Sequence, residues 1–275
     1  MQQSNNAHIF MKRMQLGLKD KNSVIYSIWS LFRLVIFTLL FIVIINVIPF
    51  MISGRLNSEL LNYSIAIAIF LGVLVDIKWI EKKALDCVGL CFRCKDIAFF
   101  AGGILLAILG CGVIVGLVSV IRCENLYLAA IESVVNSERG LMAYVVIPFS
   151  EELFHRGYFM GHTFPRLSYR QRSVLSAFLF SLSHWLYSGY SSIFMFIVAM
   201  AIGTFLFGLL FNHVRMLNGS IWMGFAVHWF FNFIYSCIFL ETENYDIATV
   251  ILVILLSFCV VLTGIWIKKK AGHQL

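Results

Sequence analysis

The chain has 275 residues, of which 60% are hydrophobic and 13% charged, and its formal net charge is +7. A mean hydropathy of +0.89 excludes an ordinary soluble domain and indicates a polytopic membrane protein. The basic excess lies in stretches beside apolar segments, where it sets topology, so no nucleic-acid partner is expected.

Residues 1–23 form a polar lead-in with Lys12, Arg13, Lys19 and Lys21, and no cleavable signal peptide is expected there. Apolar segments follow at about 26–50, 61–77, 97–121, 141–160, 172–187, 192–212, 219–240 and 247–267, and Lys268, Lys269 and Lys270 close the last. Each approaches the ~20 residues needed to cross a bilayer, except the fifth, which is shorter and more polar and is expected inside the bundle, lining a cavity. Arg33, near the start of the first, is placed to snorkel to the interface. The expected fold class is therefore all-α: a transmembrane helix bundle of about eight spans, forming a single integral membrane domain over residues 1–275.

Charge supports this order. Lys78, Lys82, Lys83, Arg93 and Lys95 lie between the second and third segments, Arg166, Arg170 and Arg172 between the fourth and fifth, and Arg215 between the sixth and seventh. The opposite side carries Arg55, Arg122 and Arg139, and the last stretch there, ETENYD, is acidic. The alternation places both termini in the cytoplasm. Short connections point to a bacterial plasma membrane. No internal repeat is present, which disfavours a repeat-built transporter.

The fourth segment, LMAYVVIPFSEELFHRGYFM, is the most informative. Charges at membrane depth are costly and mark function by default. Glu152 and Arg156 stand at i,i+4 in the favourable order for an ion pair. Glu151 is rotated about 100° away and is left free. Pro148 removes a backbone hydrogen bond near Glu151, so a kink or helix restart beside a polar cavity is expected. Two further segments carry polar residues at depth: FSLSH with His184, and HWFFN with His228 and Asn232 on one face. At about 1.5 Å per residue, Glu151 and His228 lie about 14 Å, and His184 about 18 Å, from the ends of their segments. A carboxylate, two imidazoles and an amide at one level suit hydrolysis of an amide bond. The carboxylate would take a proton from water, a histidine would share that work, and the amide with a histidine N–H would hold an oxyanion.

The strings EELFHRG, FSLSH and HWFFN resemble, in order, the motifs EExxxR, FxxxH and HxxxN of the CAAX-protease and bacteriocin-processing family of intramembrane glutamic endopeptidases, which includes the type II CAAX prenyl proteases. The likeness covers about 140–235, the expected catalytic core. It implies Glu151 as the water-activating base with His184 beside it, His228 and Asn232 as the oxyanion pair, and Glu152 with Arg156 as structural support. His155 departs from the usual filler and stands at i,i+4 from Glu151. The resemblance implies an intramembrane endopeptidase with a hydrophobic or membrane-anchored peptide substrate. A non-catalytic peptide-binding or bacteriocin-immunity protein on the same fold is the alternative.

No cofactor is expected, although Glu151, His184 and His228 are also zinc-ligand types. HExxH and GxSG motifs are absent, which disfavours a zincin or a rhomboid. Glu152 and His155 have di-iron spacing without the second E-x-x-H. Cys87, Cys91 and Cys94 have the C-x3-C-x2-C spacing of an iron–sulfur loop but are read as reduced thiols, and Cys111 and Cys259 as packed small hydrophobes. The sequence does not specify an oligomeric state.

Overall fold

The computed structural model describes residues 23–54, 58–123, 140–185, 193–239 and 245–272. Among these there is no strand, and the all-α expectation holds. Helix α1 spans Val24–Ser53. Helix α2 spans Ser58–Leu74 and continues as a π-helix over Val75–Ile80. Helix α3 is Cys94–Arg122. Helix α4 runs Gly140–Glu152, continues as a π-helix over Leu153–Phe159, and ends in Met160–His162. Helix α5 is Tyr169–Trp185. Helix α6 comprises Ile193–Phe196, a π-helix over Ile197–Gly203, and Thr204–Asn218. Helices α7 and α8 are Trp222–Phe239 and Tyr245–Gly272. Lys12, Arg13, Lys19, Lys21, Arg55, Arg139 and the acidic residues of 241–244 lie outside the described residues.

These eight helical runs follow the expected order, but five of them are long and apolar enough to cross a membrane by themselves: Val24–Ser53, Tyr63–Ile80, Cys94–Arg122, Ile197–Asn218 and Asp246–Trp266. The chain is an integral membrane protein. The three runs outside this set, α4, α5 and α7, carry the three motifs. Of these, α4 carries Glu151, Glu152 and Arg156 within its length, and α5 is only 17 residues long.

Helix α3 packs along α7, α1 along α2, and α5 along α6, while α4 is held between α2 and α7. One buried cluster joins Ile114 and Val118 of α3 to Phe231 and Tyr235 of α7 and Ala248 of α8. A second joins Leu34 of α1, Val73 and Ile77 of α2, and Leu153 and Tyr158 of α4. Two glycines allow close backbone approach. A Cβ on Gly208 of α6 would lie 2.8 Å from Cα of Ala177 on α5, and one on Gly157 of α4 would lie 2.6 Å from the carbonyl of Val88. Small residues at crossing points are how membrane helices pack tightly without a hydrophobic driving force.

Three sequence expectations change. Arg33 does not snorkel outward. Its Nε donates to Asp76 at 2.8 Å and its Nη2 to Glu81 at 2.6 Å, because these two buried carboxylates offer a stronger partner than the interface. Tyr158 of α4 joins the same network by donating to Asp76 at 2.6 Å, so α1, α2 and α4 are tied together at the basic end of the bundle. Helix α5 is not wholly enclosed: Ser173, Ser176, Ala177 and Phe180 are buried, but Val174, Phe178 and Leu182 face outward. Cys111 is buried as expected, whereas Cys259 is exposed on the outer face of α8, where a thiol is apolar enough to sit.

Candidate functional site

The helix through Pro148 is continuous over Gly140–Glu152, and the backbone widens to a π-helix at the next residue. Such wide turns recur at functional sites because they displace a side chain from the regular α-helical register. Here the change comes directly after Glu151 and Glu152. Beyond it, Gly157 presses the widened turn against the short 3₁₀ turn Leu85–Val88, fixing α4 from the basic end.

Glu151 lies between two imidazoles. Its Oε1 is 3.9 Å from Nε2 of His184, and its Oε2 is 3.6 Å from Nε2 of His228. Helices α4, α5 and α7 thus bring to one place the acid and the two histidines that the sequence places at one depth. Glu151 and His184 keep about a quarter of their side-chain surface open, at 25% and 26%, while His228 keeps 7%. The acid and one histidine can therefore reach water or substrate, and the other histidine is fixed inside.

The orientation of both rings is set by their Nδ1 atoms. His184 Nδ1 lies 2.7 Å from the backbone carbonyl of Phe180, and His228 Nδ1 lies 3.1 Å from Oε1 of Glu152. Neither acceptor can donate when Glu152 is ionised, so each Nδ1 carries the proton and each Nε2 turns its lone pair towards Glu151. A proton or a water held among these three groups would relieve the mutual repulsion of their lone pairs.

Glu152 and Arg156 form the expected i,i+4 ion pair, with Oε1 3.0 Å from Nη1 and exposures of 0% and 1%. Arg156 also donates to the carbonyl of Gly208 at 3.3 Å. Its guanidinium stands 4.3 Å from the ring centre of Phe180 and 5.0 Å from that of Phe211. A buried cation is thereby compensated by a carboxylate, a carbonyl and two aromatic faces.

Three participants were not read from the sequence. Phe180 supplies the carbonyl under His184, and its ring packs against His155, His184 and His228 at 5.2, 4.5 and 5.9 Å. Its signal was the first letter of FSLSH, four residues before the histidine. Phe211 stacks on His228 at 5.2 Å. The bond from Glu152 to His228 crosses helices. No spacing within one segment announces either of the last two.

Asn232 sits one turn beyond His228 and lines, with it and His184, the wall of one cavity. His155 is 4% exposed and packs edge-on against Phe154 and Phe180. Its Nδ1 is buried without a hydrogen-bond partner, so it reads as a packing residue of the site.

Two observations bear on a metal. Histidines whose Nδ1 donates to a carboxylate or carbonyl have the outer support that metal-ligating imidazoles use, and Glu151, His184 and His228 are suitable donor types. Among the described residues, however, the three donors gathered within 4.8 Å of one another are Asp76, Glu81 and His162. That second set is already engaged by Arg33 and Lys83. The thiols of Cys87, Cys91 and Cys94 form no such gathered set.

Residues 138–234 match the family model described as Type II CAAX prenyl endopeptidase Rce1-like. The match bears out the resemblance carried by the three motifs, and it spans α4 to α7, the helices that build the site around Glu151. The Rce1-like family is one of proteases. No curated relative and no solved structure matches the chain.

Proposed function

We propose that this protein is an intramembrane endopeptidase that cuts a hydrophobic or membrane-anchored peptide with water activated by Glu151. The observation that carries the reading is the placement of the Glu151 carboxylate between Nε2 of His184 and Nε2 of His228, 3.9 and 3.6 Å away. A water among these groups meets three acceptors and loses a proton to Glu151. The resulting hydroxide adds to the peptide carbonyl carbon. The Asn232 amide donates to the oxygen that becomes negative. The proton passes through the histidines to the departing nitrogen as the C–N bond breaks, and His228 carries positive charge well because Glu152 lies behind it. His184, the more exposed ring, is the group beside the water.

A metal-free course is part of the proposal. CAAX-type processing of a substrate reached from within the bilayer comes from the Rce1-like match. The charge alternation supports both termini in the cytoplasm, and a bacterial plasma membrane is the proposed location.

The experiment compares the N- and C-terminal peptides of membrane proteins in cells carrying the wild-type or the Glu151→Gln protein. New termini present with wild type and absent with the variant, at equal protein levels, are expected. Identical sets of termini would reject the peptidase reading.

A further inference from the structure

A cavity of about 190 Å³ opens behind the polar site. His184, His228 and Asn232 form its wall on the site side. Phe207 of α6 and Phe231 of α7 form apolar walls, and Leu252 and Val253 of α8 line a further side. Two small residues of the widened stretch of α6, Ala199 and Gly203, make the room. The hydroxyls of Tyr235 and Thr249, also on its wall, lie 2.9 Å apart and hydrogen-bond to each other, so the apolar character of the space is little disturbed. Helix α8 lies outside residues 138–234, so this part of the lining belongs to the chain beyond the Rce1-like stretch.

We propose that this cavity holds one large apolar side chain of the peptide, adjacent to the bond that is cut, and that Leu252 and Val253 set the size it accepts. The inference rests on the endopeptidase reading and adds a specificity determinant to it. Three observations converge. The cavity is continuous with the site, because the residues beside Glu151 form its near wall; a carbonyl held at Asn232 leaves the neighbouring side chain at the opening. Away from His184, His228 and Asn232 its walls are mainly aromatic and aliphatic, with Thr204 and the paired hydroxyls of Tyr235 and Thr249 among them, so a charged side chain seated there would lose most of its water without full replacement. Its volume is of the order of the roughly 150 Å³ apolar cavity that accepts benzene, which matches a leucine or phenylalanine side chain and is too small for a tryptophan with room to turn.

The test uses the full chain in lipid nanodiscs. Fluorescent apolar peptides carry Ala, Leu, Phe or Trp at one position at a time. Binding is measured with Glu151→Gln protein, and cleavage with the wild type. At one position, Leu and Phe are expected to bind about ten-fold or more tighter than Ala, as one or two buried methylenes or a ring would give. Val253→Trp, in the same Glu151→Gln background, should reverse that order in favour of Ala at that position alone. Leu252→Ala should extend acceptance to Trp. Unchanged ranking in both variants, equal loss at every position in protein that still unfolds cooperatively, or no binding by any peptide would each overturn the proposal. If the wild type binds with the expected ranking but cuts none of the peptides, the cavity assignment stands as a binding subsite and the peptidase reading is what fails.

Discussion

Glu152 joins two helices by one oxygen: its Oε1 lies 3.0 Å from Nη1 of Arg156 on its own helix and 3.1 Å from Nδ1 of His228 on α7. The carboxylate that neutralises the buried arginine therefore also fixes which face of the histidine meets Glu151. One atom makes both contacts.

This sharing separates two classes of variant. Glu151→Gln, His184→Ala and His228→Ala are expected to abolish cleavage while leaving folded protein near the wild-type level. Arg156→Ala should lower the amount of folded protein, because an unpaired buried carboxylate costs roughly 3–5 kcal/mol. Glu152→Gln keeps an acceptor for His228 but leaves Arg156 uncompensated, so it should lose stability and activity together. Thermal unfolding in detergent beside a cleavage assay reads both. Equal loss of folded protein in all five variants would mean that the site is packing rather than chemistry.

Removal of metal is expected to leave cleavage intact. Purified protein treated with chelator should retain activity and contain no stoichiometric zinc by elemental analysis. Glu151→Asp should be badly impaired, because the shorter side chain withdraws the base from the water. Recovery of a chelated, inactive protein by zinc alone would overturn the metal-free course and leave the peptidase reading in place.

The basic end of the bundle gives a pH prediction. Burial, and then the ammonium of Lys83, hold His162 down from 6.5 to about 4. Lys83 Nζ lies 3.2 Å from its Nδ1, so the neutral ring accepts there. The unfolded chain takes up this proton near 6.5 and the folded one near 4, so between these values the unfolded state binds more protons. Stability from this group is complete above about 6.5 and falls as the pH drops towards 4. The unfolding midpoint measured across that window should slope upward with pH, and His162→Gln should flatten the slope. The same slope in the variant would assign the effect to other groups.

Topology is checked by reporter fusions. Those after Asn57, Asn136 and Glu243, positions outside the described residues, are expected to read external, and one after Lys83 internal. An external reading at Lys83 would remove the proposed orientation.

Much of the helix order was legible because membrane spans announce themselves by length and apolarity, and α1, α3 and α8 differ from their expected extents by a few residues at each end. The pairing of Glu152 with Arg156 was legible because both lie on one helix at a fixed spacing. Contacts that cross helices were not. The turn of Arg33 towards Asp76 and Glu81, the stacking of Phe211 on His228, and the Glu152–His228 bond each depend on which faces meet, and a sequence read one segment at a time carries no term for that. The π-helix after Glu152 was equally hidden, and the close approach of its Gly157 to Val88 joins residues nearly seventy apart in the chain.

None of the three helices that bear the motifs is among the five described runs long and apolar enough to cross a membrane alone, and α4 is the most charged of the three. Insertion scales put a central Arg or Asp at about 2.5–3.5 kcal/mol each, and α4 brings Glu151, Glu152 and Arg156 together. During synthesis, α4 therefore enters the lipid at a deficit that its own leucines and valines do not cover, and it is kept there by partners already in place. Its contacts with α2 are made by a helix that emerges earlier, but those with α7 wait for some sixty more residues of chain. In the interval between the two, Glu151 and Glu152 lie in the membrane without the histidines they face in the fold. Quality-control proteases that patrol the bilayer would find their target there, and variants that break the packing of α7 against α3, unlike His228→Ala, should be removed before they are ever assayed.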